Sequence, residues 1–284
     1  MPDTSPTSRS PVAPEGLAAR IDALWVYPIK ACAAVEMDEI QIDSHGLIAG
    51  DREWVVVDEH GHVTWQGVHP TLSQVQPAWI DGQWWAGLRG TEARALDPQG
   101  RDGIVHLWND RAKAMEVFPA TDAGDGVAEL LLRATGAPLR LARLGQEGRN
   151  RSGVNPLHLV HAASIDELNQ HLLARGLPCA EVLRFRPNLL ISGVDASCLP
   201  FIEDHAAALR SAGWRMPITT PCERCVVPGI HPVTGEQSPE LTAVVAELSA
   251  GRRPGVPSCF GVYGAPTPGS RLRRGEHVWI ELAF

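Results

Sequence analysis

Two cysteines in Pro221-Cys222-Glu223-Arg224-Cys225 carry the most chemistry in this chain. A thiolate is a soft metal ligand and a nucleophile, and the Cys-x-x-Cys spacing admits several uses. Half of a zinc site is one, but structural zinc takes two more ligands; there is no second pair, and His231 would need an unidentified fourth partner. A dithiol redox pair is another. Such pairs open a helix whose N-terminus lowers the thiol pKa, whereas Val226-Val227-Pro228-Gly229 ends structure here. Two buried structural thiols are a third use. The fourth, a working thiolate ligand at Cys225, depends on the company the pair keeps.

That company is cationic. Tyr27-Pro28-Ile29-Lys30 places a lysine at a strand end, Gly50-Asp51-Arg52 an arginine just before a strand, and Arg184-Phe185-Arg186-Pro187-Asn188 two more before another. The chain as a whole is acidic, with a formal net charge of −8, so its surface repels nucleic acid and acidic lipid. Cations gathered against that background can form an anion pocket, lysine acting as a point charge and arginine as a bidentate fork for phosphate. A thiolate beside such a pocket suits a pyranopterin-bound metal, which needs soft sulfur for the metal and cations for the phosphate tail.

The elements that must position these residues read as a mixed, β-rich α+β chain. A first strand over Ile21–Lys30 ends at Pro28, Val35–Ile42 alternates as a half-buried strand, and Trp54–Asp58 is a continuous apolar strand. Short strands around residues 79–80, 84–88, 103–108 and 113–118, separated by glycine-rich turns, suggest a barrel or curled sheet. From Asp122 the texture becomes mixed. Val127–Thr135 has helical spacing and stops at Gly136, and Leu139–Leu144 reads as a strand. Ser164 is placed to cap a helix to about Arg175, with Glu167 at capping-box spacing, and Ser238-Pro239 to start one over Glu240–Leu248. Leu189–Ser192 and His277–Leu282 are strands. The expected divisions are a disordered tail over 1–16, a first domain over 17–122 and a second over 123–284. The tail lacks the apolar core of a secretion signal and the basic character of a transit peptide, and no stretch approaches the roughly 20 apolar residues that span a bilayer. The cysteines are mostly isolated in a chain too long to need disulfide staples. A cytoplasmic protein without a membrane partner is expected.

These motifs, in this order, resemble the MOSC family, named from the C-terminal domain of molybdenum cofactor sulfurases, and most closely its two-domain branch with the mitochondrial amidoxime-reducing component and bacterial relatives. The likeness is carried by Tyr27-Pro28-Ile29-Lys30, Gly50-Asp51-Arg52, Phe185-Arg186-Pro187-Asn188, the cysteine run with Pro232-Val233-Thr234-Gly235, Phe260-Gly261, and Gly269 to Glu276 before the last strand. It implies an N-terminal MOSC-type β-barrel domain followed by a MOSC domain built on a curled β-barrel with flanking helices. It further implies a molybdenum cofactor (Mo-pyranopterin), with Cys225 as the metal ligand and Lys30, Arg52 and Arg186 on the phosphate and pterin. Asn188, Thr220 and Ser164 would support the cofactor.

Two departures stand out. Ala31 follows the lysine where the family usually has serine, and Val226-Val227-Pro228-Gly229-Ile230-His231-Pro232 replaces a run with two threonines and an aspartate. His231 thus stands where a carboxylate is usual, and a ring that can carry and release a proton makes it the expected proton donor. The implied activity is reduction of N-hydroxylated or N-oxygenated small molecules, with electrons from a separate donor protein. The alternatives are a non-catalytic cofactor carrier or sulfur-handling binding module, or a protein that binds no molybdenum and uses Cys222 or Cys225 as a nucleophile.

Overall fold

A computed structural model describes residues 16–194 and 199–283. The expectation for the tail falls, Gly16 apart, outside the described residues, as does Cys198. Seven strands close a barrel in the order Leu189–Gly193, Leu157–His161, Cys259–Gly264, Arg215–Glu223, Ala206–Arg210, His277–Leu282 and Leu17–Val26, the last pairing back onto the first. Only Leu157–His161 with Leu189–Gly193 is parallel among these pairs. A parallel step needs a crossover, which the helix Ala162–Leu173 supplies. The barrel is filled by inward side chains, among them Ile21, Leu24, Leu159, Ile191, Met216 and Val278.

The first barrel strand comes from the far end of the sequence. Leu17–Val26 reads as part of the N-terminal half, yet it closes the barrel of the C-terminal half. The chain then leaves that barrel and enters a second sheet. Ile29 bridges Trp54 in parallel, Lys30 N donates to Trp54 O at 2.8 Å, and Trp54 N donates to Pro28 O at 3.0 Å. Tyr27–Lys30 is therefore a strap between the two halves.

The second sheet runs Trp54–Val57, Arg140–Leu144, Ala114–Asp122 and Arg101–Asn109. The helix Asp125–Thr135 covers it, packing Val127, Leu130 and Leu131 on Ile29, Trp54 and Leu141. Packing thus ties the helix Asp125–Thr135 and the strand Arg140–Leu144 to this sheet. The helix ends as its sequence dictates, at Gly136 with φ 72°, a left-handed cap that glycine adopts at little cost.

Two local expectations change. Val35–Ile42 is not one strand but two, Val35–Met37 and Glu39–Gln41, broken at Asp38. The helix expected from Ser164 starts at Ala162, and His161 caps it by accepting from Ala163 N at 3.1 Å through Nδ1. A histidine nitrogen does here what the hydroxyl of Ser164 was expected to do. At the C-terminal helix, Pro239–Arg252, Ser238 holds the cap position without a side-chain cap bond. Among the described residues no helix is long and apolar enough to cross a membrane.

Candidate functional site

The strap between the halves brings the predicted site residues together. Tyr27 is 1% exposed and lies between two guanidinium groups, Arg186 at 4.2 Å and Arg52 at 4.8 Å from its ring centroid. Both arginines hold left-handed backbone, φ 53° and 49°, which L residues adopt only under outside constraint. Arg186 is pinned at the end of the turn Val182–Phe185 and Arg52 by its N–H donating to Tyr27 O at 2.8 Å.

Arg52 and Asn188 are fully used by the protein itself. Arg52 pairs with Asp51, whose Oδ1 also accepts from Tyr27 N at 2.7 Å. Asn188 Oδ1 accepts from Arg52 Nη1 at 3.0 Å and His158 N at 3.2 Å, while Nδ2 donates to Trp25 O at 3.1 Å and Asp51 Oδ1 at 3.3 Å. Asp51 and Asn188 thus form a buried brace that ties the strap to two barrel strands.

Lys30 and Arg186 are in the opposite condition. Burial, then the neighbouring charge of Arg151, lowers the Lys30 pKa to about 8; Asp110 opposes, Arg186 lowers it further and Cys225 opposes. Burial also brings Arg186 down to about 10, with Tyr27 opposing and Arg52 adding repulsion. Arg186 donates only to a carbonyl, Cys32 O, at 2.6 Å, and Arg151 to Gly148 O at 2.6 Å. Among the described residues none of Lys30, Arg151 and Arg186 has a carboxylate within ion-pair distance. Arg151, in the loop before the strand Leu157–His161, was missed in the sequence, where only its neighbour in Arg149-Asn150-Arg151 hints at a basic run.

The two cysteines of the motif separate. Cys225 is exposed at the end of the Arg215–Glu223 strand, within electrostatic reach of Lys30 and Arg224. Cys222 is 1% exposed, and Arg224 Nη1 donates to its Sγ at 2.8 Å. Burial alone would raise the Cys222 pKa, but Arg224, His158 and Tyr263 outweigh it and bring it to about 6. Cys32, equally buried, shows the contrast: with Arg186 as its only charge partner, burial pushes it up to about 12. Arg224 also donates through Nη2 to Phe185 O at 3.0 Å, which links the cysteine strand to the turn carrying Arg186. Gly261 makes room for this arrangement: at φ 74°, a Cβ there would stand 2.6 Å from both His158 Nε2 and Leu159 O. Arg224, one residue past the strand Arg215–Glu223 and between the two cysteines in sequence, was missed as the partner of Cys222.

The remaining predicted residues divide. Thr220 is exposed on the cysteine strand opposite Tyr263. Ser164 is buried inside the helix Ala162–Leu173; its Oγ donates to Glu203 Oε2 at 2.9 Å and accepts from Phe201 N at 2.8 Å. Its hydroxyl is spent on that brace and is not brought to the cation group. His231 Nδ1 accepts from Val233 N at 3.1 Å and Thr234 N at 3.2 Å, so the ring proton resides on Nε2, 3.3 Å from Glu181 Oε1. No cluster of three metal-binding side chains occurs among the described residues.

The arrangement fits an anionic, metal-carrying group. Among the described residues three cations lack counter-ions, Tyr27 Oη and Arg224 Nε are buried without partners, and the Cys225 thiol stands exposed beside them.

The chain matches two family models: the MOSC N-terminal beta barrel domain over residues 18–137 and the MOSC domain over 146–279. It is 29% identical over 268 residues to the molybdenum cofactor sulfurase of Drosophila yakuba, a match covering 89% of this chain and 33% of that protein. It is 26% identical over 238 residues to mitochondrial amidoxime reducing component 2 of Rattus norvegicus, covering 76% of this chain and 68% of that one. The chain therefore spans about a third of the length of the sulfurase relatives it matches. Among solved structures, the YUAD protein of Bacillus subtilis aligns with a TM-score of 0.45 and 13% identity over 95% of this chain and 99% of that one.

Proposed function

The chain belongs to the MOSC family, and on that premise we propose that it is a molybdenum-cofactor-dependent reductase of N-hydroxylated small molecules, fed electrons by a separate redox protein. One observation carries this reading: an exposed thiol, Cys225, beside cations that have no carboxylate partner of their own. Cys225 would hold the molybdenum, and Lys30, Arg151 and Arg186 the phosphate of the pyranopterin. When bound, the group would supply the two-electron redox chemistry. For an amidoxime the balance is R–C(NH2)=N–OH plus two electrons and two protons, giving R–C(NH2)=NH and water.

The chain's own residues bind and orient. The Asp51–Arg52–Asn188 brace fixes the strap that carries Lys30, and the Cys222–Arg224 pair fixes the strand end that carries Cys225. Arg52 and Asn188 then act by positioning the strap, and Thr220 lies exposed on the strand that leads to Cys225. His231, on the loop after Cys225, holds a proton on Nε2 against Glu181 and is the proposed proton donor. His231→Asn should flatten the pH dependence of turnover between about pH 5 and 8; a profile unchanged by the substitution removes His231 from the reaction.

The sulfurase relatives favour a second reading, a cofactor carrier or sulfur-handling module. Protein made in a cofactor-competent host, given a chemical reductant and an N-hydroxylated substrate, separates the two. A reductase turns over without any partner protein, whereas a carrier binds the cofactor and does not. A chain that uses its thiols as nucleophiles would carry no molybdenum at all.

A further inference from the structure

The hairpin of Arg101–Asn109 and Ala114–Asp122, at the edge of the second sheet, is apolar on both faces. Its inner face buries Val105, Leu107 and Ala120. On its outer face Ile104, Trp108, Met115 and Val117 are 59%, 50%, 47% and 52% exposed. Strand alternation puts these four on one side, and the register sets them in successive cross-strand pairs: Ile104 with Pro119, His106 with Val117, Trp108 with Met115. Single exposed apolar residues are ordinary, but a continuous ladder of a few hundred Å² (a rough figure) is the usual mark of a contact surface.

The charges around this ladder are sorted by sign. The hairpin tip carries Arg111 and Lys113, both exposed, while Asp110 of the same turn accepts from Trp108 Nε1 at 3.1 Å. The other end carries Asp102 on the ladder face, with the turn Asp58-Glu59 beside it. The strand edge holds that turn in place: His62 bridges His106 in parallel, and His106 N donates to Gly61 O at 2.8 Å. Cations near the acidic end are answered, Arg101 by Asp125 at 3.7 Å and Arg143 by Glu53 at 3.4 Å. Among the described residues Asp102, Arg111 and Lys113 have no ion-pair partner.

We infer that this face is the interface of a two-fold dimer, its occupant a second copy of this chain. Laid antiparallel about an axis near His106 and Val117, the two ladders cover each other, and each cationic tip meets the acidic end of the other copy. The sorted charges choose this occupant. A lipid surface or a partner of one sign gains at one end of the ladder and loses at the other, whereas a second copy gains at both. A standard interface covers about 800 Å² per partner. The ladder alone is smaller, so the charged ends must contribute, and the dimer is weak and salt-sensitive. It forms at the edge of the cation group, because Asn109 Nδ2 at the tip donates to Ser152 O at 3.2 Å, next to Arg151. The inference does not depend on the reductase reading.

Sedimentation velocity on the full chain tests it. A monomer–dimer equilibrium with Kd on the order of 10 µM is expected, at least about fivefold weaker when the ionic strength rises from about 0.01 to about 1 M. Val117→Asp sets two carboxylates against each other at the axis and should weaken the dimer at least about tenfold. Lys113→Glu and Asp102→Lys should each weaken it about threefold, and the two together should restore it, because the reversed ends again meet opposite charges. These positions are exposed, so the unfolding midpoint should hold within about 2 °C; if Val117→Asp unfolds the chain, the charge-reversal set decides alone. A chain still monomeric at about 100 µM, or a dimer indifferent to Val117→Asp, overturns the inference. So does a double reversal as weak as its single changes. A monomer whose Trp108 fluorescence shifts on phosphatidylcholine vesicles would give the face to lipid and overturn it too.

Discussion

The site has two sides built from the same residue types in opposite conditions. On one side Arg52, Asn188, Cys222 and Arg224 are bonded to one another and to the backbone. On the other, Lys30, Arg151 and Arg186 are cations without carboxylate partners, and Cys225 is exposed. The difference teaches that membership of a motif does not decide a residue's work. The answered side holds the geometry of the strap and the cysteine strand, and the unanswered side is left for a ligand. Stability should therefore depend on the first set and ligand binding on the second.

Asn188→Leu tests the answered side most severely. It removes four hydrogen bonds at nearly constant volume and leaves the Trp25 carbonyl, the His158 N–H and the Arg52–Asp51 pair under-satisfied. A loss of about 3 kcal/mol in denaturant unfolding is expected; a loss within about 0.5 kcal/mol, the size of an ordinary surface substitution, would show that the brace is ornamental.

Cys222→Ser should act through pH. The thiol pKa falls from 9.0 to about 6 in the folded chain. A depressed acid contributes stability that is fully present above pH 9 and is lost as pH falls toward 6. The wild-type chain should therefore gain stability across that window relative to Cys222→Ser. Parallel stability curves for the two proteins would mean that no thiolate forms at Cys222.

Lys30→Gln acts with the opposite sign. Burial and repulsion by Arg151 lower the Lys30 pKa from 10.5 to about 8, so its charge weighs against the folded state as pH drops through that range. At neutral pH the variant should be more stable without cofactor, while its cofactor content falls. A variant that loses both stability and cofactor would move Lys30 to the answered side.

Part of this division was legible in the sequence. The Cys225 thiol, the three cation clusters and the helix stop at Gly136 all follow from local patterns. Which cation is answered did not, because Asp51 and Asn188 meet through a barrel closed by a strand from the other end of the chain. The alternation of Leu17–Val26 suits either sheet, and only long-range pairing chooses between them. The spacing of Ser164 to Glu167 fits a capping box, and its place as cofactor support is implied by the family resemblance alone; the strand Leu157–His161 brings His161 to the cap position first. Arg151 lies in a loop, where no periodicity reports burial. It emerges only when the two halves are packed together.

The central claim is that Cys225 is the metal ligand and Cys222 its buried support. Molybdenum analysis of the chain from a cofactor-competent host, wild type beside Cys225→Ala and Cys222→Ser, tests it most directly. The account predicts molybdenum in the wild type, none in Cys225→Ala although that protein folds normally, and a reduced but measurable content in Cys222→Ser. A Cys225→Ala protein that keeps a stoichiometric complement of molybdenum would contradict it.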